Sequence, residues 1–220
     1  MIIAIDGPAG SGKSTVARLL ARKLQFLYID TGAMYRAITL VVLESNTDVN
    51  NEQSIARFAY ESKIKLINQE DGSIKIFLNE KDVSFQIRQP QITSVVSDIS
   101  RIQGVREAML KLQRELGNSN NSVLEGRDIG TVVFPHAEVK FFLDADFKER
   151  VRRRFEENNQ KNIDTTFSQV EADLANRDRI DSTRKIAPLK KAEDAVMIDT
   201  TFLSIDQAVD KLYSLVKNKS

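Results

Sequence analysis

The sequence contains no cysteine, no tryptophan and a single histidine. Without cysteine, a disulfide framework, a thiolate zinc site and a cysteine nucleophile are excluded. With His136 alone, a multi-histidine metal centre is excluded, and a serine–histidine–acid triad would rest on that one side chain. A surplus of one charge is also lacking. The 32 basic and 31 acidic residues leave +1, so no whole-molecule field gathers nucleic acid or an anionic membrane. The longest apolar run, residues 37–43, is interrupted by Thr39 and falls far short of the ~18 residues of a membrane span. The amino terminus shows neither the basic start nor the cleavage site of a secretory signal. A soluble cytoplasmic protein with no nucleic-acid or membrane partner is expected. No helix carries a sustained heptad, and a monomer is expected as well.

What is present is rhythm. Short apolar runs at 2–5, 27–29, 122–124, 139–143 and 195–198 alternate with amphipathic segments near 13–24, 33–44, 89–116, 146–158, 167–180 and 205–217. Continuous apolar runs separated by helices predict an α/β fold, a five-stranded parallel sheet with helices on both faces. The 220 residues form one domain, large enough to bury about 70% of the unfolded surface. One stretch breaks the rhythm. Residues 63–68 and 73–78 alternate polar and apolar side chains around Asp71-Gly72, a hairpin signal, and Val83 is a candidate start for a third strand. Residues 63–86 therefore read as a small antiparallel insertion, and 117–122 as a surface loop.

Gly7-Pro8-Ala9-Gly10-Ser11-Gly12-Lys13-Ser14, followed by Thr15, satisfies every fixed position of G-x-x-x-x-G-K-[ST] between an apolar strand and an amphipathic helix. Such a loop turns successive backbone N–H groups toward phosphate oxygens, and the helix terminus adds partial positive charge. Lys13 is placed to reach the β- and γ-phosphates of ATP, and the Ser14 hydroxyl to ligate Mg²⁺. A chance match arises in roughly one chain in a hundred of this length, so a nucleoside triphosphate is the expected ligand.

A switch GTPase would need Asn-Lys-x-Asp, whereas the nearest string, Asn79-Glu80-Lys81-Asp82, has the wrong order. The apolar strand ending in an acidic pair, usual in motor and transporter ATPases, is also missing. A small phosphotransferase with a second anion site remains. Three arginine-bearing stretches could supply that site: 30–36 and 125–131, each directly after an apolar run, and 177–184. In open parallel sheets, ligands gather at the carboxyl ends of strands. Arg177, Asp181 and Arg184 share one helical face, an arrangement that also suits a surface salt-bridge ladder.

DGPAGSGKST (6–15), YIDTGAMYRA (28–37), GVREAM (104–109), EGRDIGT (125–131) and RKIAPLKKAEDAVMIDTT (184–201) together resemble the bacterial cytidylate kinases, in order, from residue 2 to about 210. The resemblance implies transfer of a phosphoryl group from ATP to CMP or dCMP with Mg²⁺. It implies that Thr31, Ser97, Arg106 and Asp128 contact the cytosine, that Arg36, Arg127 and Arg184 hold the acceptor phosphate, and that Asp181 contacts the sugar. It also places a monophosphate-binding region at 45–116, with the insertion inside it. Glu125 stands where aspartate is common, and Thr31 where some members carry serine; either hydroxyl can make the same bond.

These residue types suit the reaction. A monophosphate is largely dianionic at neutral pH and needs no general base, so His136 is expected in a loop after Pro135. The obstacle is bringing two polyanions together, a task for guanidinium forks. A lid at 150–184, with Arg177 and Arg184 as its phosphate contacts, would close the site against water. Lys13, Arg127, Arg177 and Arg184 are the candidate catalytic residues. An ionised Asp128 can accept from the cytosine amino group and would meet a lone pair on uracil. Tyr35 reads as packing, and Asp30 as either a helix cap or a group near Mg²⁺. Two alternatives stand beside this reading: a small kinase for UMP, AMP or shikimate, and a nucleotide-gated regulatory module.

Overall fold

In the computed structural model, which describes residues 1–219, the apolar runs and amphipathic segments alternate as strands and helices. β1 (Ile2–Asp6) leads to α1 (Lys13–Leu24), and β2 (Leu27–Asp30) leads to α2 (Thr31–Glu44). α3 (Glu52–Glu61) precedes three short strands, β3 (Ile64–Asn68), β4 (Ile74–Leu78) and β5 (Lys81–Asp82). α4 (Pro90–Ser100) and α5 (Gln103–Asn118) return the chain to β6 (Ser122–Gly126), which a π-helical turn at Ile129–Val133 joins to β7 (Val139–Asp144). α6 (Phe147–Gln160), α7 (Phe167–Thr183), β8 (Val196–Asp199) and α8 (Ile205–Lys217) follow.

The main sheet is parallel throughout, in the order β2-β6-β1-β7-β8. All five residues of β6 are buried, which an alternating strand achieves only when both faces are covered. α1, α2 and α5 all pack on it. Ile3, Ile5 and Phe141 are sealed at the centre, each contributing roughly 1.5–3 kcal/mol by burial. Parallel pairing brings every strand's carboxyl end to one edge, with Asp6 beside Gly126, Asp30 beside Glu125 and Asp144 beside Asp199. That edge carries the site.

The three short strands form a separate antiparallel sheet, β3-β4-β5. Its hairpin turns at Asp71-Gly72 as the sequence predicts, with Gly72 at φ +82°. The third strand is Lys81–Asp82 and ends where Val83 is expected to begin it; Val83 N still donates to Ile76 O of β4 at 2.9 Å, and its side chain is buried in the core. Asn68 docks this sheet on the exposed edge of β2: its amide accepts from Tyr28 N and donates to Tyr28 O, both at 3.1 Å.

Two further departures have local causes. The segment 89–116 is two helices broken at Arg101-Ile102, since Ile102 adopts an extended conformation (ψ 126°) while its side chain stays buried. The apolar spacing runs through the break. α3, capped by Asn51, lies in a stretch given no element from the sequence, and buries only Ile55 and Ala59. α5 also runs over Gly117 and Asn118, shortening the expected loop. Among the described residues, no helix is long and apolar enough to cross a membrane.

Candidate active site

The loop after β1 wraps the amino terminus of α1. Gly12 caps that helix at φ +81°, in the left-handed region that favours glycine. Gly7 passes so close to β7 that a Cβ would lie 2.0 Å from Leu143 O. The Lys13 ammonium folds back to donate to Pro8 O at 3.1 Å and lies 4.0 Å from Glu125 Oε2. Gly7 and Pro8 lie outside the lining, while Ala9, Gly10, Ser11, Gly12, Lys13, Ser14 and Thr15 line a cleft of about 1290 Å³.

The other side of the same cleft receives the remaining candidates: Thr31 and Arg36 from α2, Ser97 from α4, and Arg106 from α5. Arg127 and Asp128 arrive from the end of β6, and Arg177, Asp181 and Arg184 from α7 and its end. Two carboxylates organise the arginines. Asp128 accepts from Arg106 Nη2 at 2.5 Å and from Arg184 Nη2 at 3.3 Å. Asp181 accepts from Arg127 Nε at 2.8 Å and lies 4.0 Å from Arg184 Nη1. The salt-bridge-ladder alternative for 177–184 therefore fails, because Asp181 and the Arg184 side chain are buried in a cleft rather than solvated. Thr31 Oγ1 donates to Glu125 O at 2.7 Å, and Arg36 donates to Thr93 Oγ1 at 2.8 Å.

Cations outnumber their partners at the centre. Burial, with Arg127 and Arg177 nearby, lowers the Lys13 ammonium to about 7 despite Glu125. Burial, with Arg127 and Arg36, lowers Arg177 to about 9, and its Nε is sealed from solvent without a hydrogen-bond partner. Arg36 is lowered to about 10, mainly by burial. Burial would raise the Asp181 carboxyl, but Arg127 and Arg177 outweigh it and hold it low. An arrangement of this kind is short of a polyanion.

Asp30 caps α2, accepting from Ala33 N at 2.9 Å, and burial with Glu125 beside it raises its carboxyl to about 6. Tyr35 is buried with the Arg106 guanidinium 5.5 Å from its ring centre, and burial pushes its phenol up to about 12, as suits packing. His136 sits in an exposed turn outside the cleft.

Several residues in the cleft or directly behind it escape sequence reasoning. Asp6 accepts from Ile129 N and Gly130 N, both at 2.8 Å, which fixes the π-helical turn that starts at Asp128. Phe202, between β8 and α8, is 94% exposed yet lines the cleft. Arg153 of α6 donates to Thr200 O at 2.6 Å, and Thr200 Oγ1 in turn donates to Ser11 O at 3.0 Å. The one signal in the sequence is a phenylalanine in the short polar turn that follows the last apolar run.

A parallel sheet with a phosphate-binding loop after its central strand and a facing cluster of arginines defines a P-loop phosphotransferase. The family model for cytidylate kinase matches residues 3–218. A cytidylate kinase of Carboxydothermus hydrogenoformans is 49% identical over 220 residues, 100% of this chain and 99% of that protein. One of Bacillus subtilis is 48% identical over 218 residues, covering 99% and 97%. The chain belongs to the cytidylate kinase family. The solved structure of TT1252 from Thermus thermophilus has the same fold at 16% identity, with a TM-score of 0.52 over 100% of this chain and 98% of that one.

The lowered titration of Lys13 has a measurable sign. Above about pH 7 the free protein holds Lys13 largely neutral, and adjacent phosphates restore its proton. Binding of tripolyphosphate at pH 8.5 should therefore take up about one proton. Calorimetry in buffers of different ionisation enthalpy reads this directly, and equal heats in all buffers would contradict it.

Proposed function

We propose that the protein transfers the γ-phosphoryl group of ATP to CMP or dCMP, giving ADP and CDP or dCDP, as a cytoplasmic monomer. ATP and nucleoside monophosphates are metabolites of that compartment. The observation that carries the reading is the under-compensated group of Lys13, Arg36 and Arg177 between the P-loop and the arginine–carboxylate network. In the proposed assignment the P-loop backbone and Lys13 bind the ATP phosphates. Arg36, Arg127 and Arg184 hold the acceptor phosphate, and Arg177 and Lys13 meet the charge that develops on the transferring group. Residues 45–116 act as the monophosphate-binding region and 150–184 as a lid.

Asp128, fixed between Arg106 and Arg184, keeps lone pairs free to accept from the cytosine amino group, with Thr31 and Ser97 completing the base site. Uracil offers an oxygen there and leaves buried polar groups unpaired, at ~1–3 kcal/mol each, or about 10- to 1000-fold for a few mismatches. Asp181 is assigned to the sugar. Mg²⁺ fits the donor set. No cluster of three or more metal-binding side chains occurs among the described residues, and Mg²⁺ commonly takes one or two protein oxygens with substrate phosphates and water. Ser14 at the start of α1 would hold it, and the ion would neutralise charge between the β- and γ-phosphates.

Turnover measured with CMP, dCMP, UMP, AMP and shikimate tests the reading. Rates with the cytidine pair should exceed the others by at least about 10-fold. Equal turnover of UMP would overturn the base assignments, and slow ADP release indifferent to any acceptor would favour a regulatory module.

Phe202 serves as a platform on which the donor base stacks beside Arg153. Because the chain has no tryptophan, Phe202→Trp creates a single reporter. Its fluorescence should be quenched saturably by ATP and not by tripolyphosphate or CMP. A signal blind to ATP would remove this role.

A further inference from the structure

Arg150, at the start of α6, stands outside the cleft lining and touches no position assigned to substrate except the P-loop backbone. It is buried, and its fork reaches in several directions. Nη1 donates to Ala9 O at 3.1 Å and to Asp178 Oδ2 at 2.6 Å, while Nε donates to Ala145 O at 3.2 Å. Asp144 Oδ1 lies 3.8 Å away, and the guanidinium rests 5.2 Å from the Phe147 ring centre.

A second observation, apolar rather than polar, joins the same parts. The Ala9 methyl is buried with Val151 of α6 and with Val170 and Leu174 of α7, in a cluster separate from the main core. Gly10 fits so closely that a Cβ there would lie 3.1 Å from the Arg150 backbone oxygen. The tip of the P-loop is thus packed and bonded as part of the α6–α7 body. Asp178 directly follows Arg177 on α7, so whatever fixes Asp178 also sets the direction of the Arg177 side chain.

We propose that Arg150 is a positioning residue for phosphoryl transfer: by bridging Ala9 O to Asp178 it locks α7 to the P-loop and aims Arg177 at the transferring group. This rests on the reading of Arg177 as a phosphate contact. A guanidinium suits the task because the two N–H groups of Nη1 point in fixed in-plane directions, one to each acceptor, while Nε is held by Ala145 O, whereas a lysine ammonium serves its acceptors as a freely rotating point charge. Arg177 has no hydrogen bond of its own at Nε to fix it. Its aim depends on its helix.

The test uses kcat and KM of the full-length protein carrying Arg150→Lys, Arg177→Ala, and both together. Arg150→Lys should lower kcat by about 30-fold through a misplaced catalytic group, with KM for ATP and CMP changed less than about threefold. In the Arg177→Ala background the same substitution should cost less than about twofold, since its effect runs through Arg177. Losses that multiply in the double variant, or an Arg150→Lys enzyme of normal kcat, would overturn the proposal while leaving Arg177 in place. Undiminished kcat in Arg177→Ala alone would remove the reading of Arg177, and the relay with it. Asp178→Asn, nearly identical in shape, carries the same comparison if Arg150→Lys does not fold.

Discussion

The burial of several cations side by side, away from water and with too few anions to pair them, is the constraint around which the structure is arranged. Arg177 depresses the titration of Lys13, and Arg127 depresses both. The displacement of Lys13 from 10.5 to about 7, caused first by burial and then by the neighbouring guanidinium groups, corresponds to roughly 5 kcal/mol. That is comparable to the whole stability of a domain. The sealed apolar centre of the parallel sheet offsets this cost, and the anions that complete the cluster must come from outside. A site held in this state binds phosphate with its guanidinium groups already in place and regains the Lys13 proton as it does so, and such preorganisation is where electrostatic catalysis derives its strength.

The carboxylates among the arginines divide the cleft. Asp181 and Asp128 anchor Arg127, Arg106 and Arg184, so these guanidinium groups have fixed directions before any ligand arrives. Arg177 and Lys13 are left comparatively unsatisfied, on the side nearest the P-loop. The anchored arginines suit recognition of an acceptor, and the unsatisfied cations suit stabilisation of charge in transfer. Asp6 extends the arrangement inward, tying the turn that begins at Asp128 to the strand that carries the P-loop.

Much of this was legible in the chain, for reasons that differ by element. The P-loop is contiguous, so its chemistry is written in eight successive residues, and the strands of the parallel sheet announce themselves as short, mainly apolar runs, broken only by Lys140 in β7 and opened by Ser122 in β6. The arginines lie far apart, and the resemblance at 28–37, 104–109, 125–131 and 184–201 was needed to bring them together. α3 went unread because it buries just two side chains, and the break between α4 and α5 because the apolar period continues across it. Contacts across the fold have no local signature at all. Nothing near Asn68 signals that its amide substitutes for a strand on Tyr28. A helical face containing Arg150 can be drawn from spacing, but its partner, the carbonyl of Ala9, lies 141 residues away.

The most direct measurement is the melting temperature of Arg177→Met, with and without a nonhydrolysable ATP analogue plus CMP. If the cluster is short of anions, removing one cation relieves repulsion. The nucleotide-free variant then melts above the unmodified protein and gains much less from the nucleotides. A variant that melts lower when free, yet is stabilised by nucleotides as fully as the unmodified protein, would contradict it.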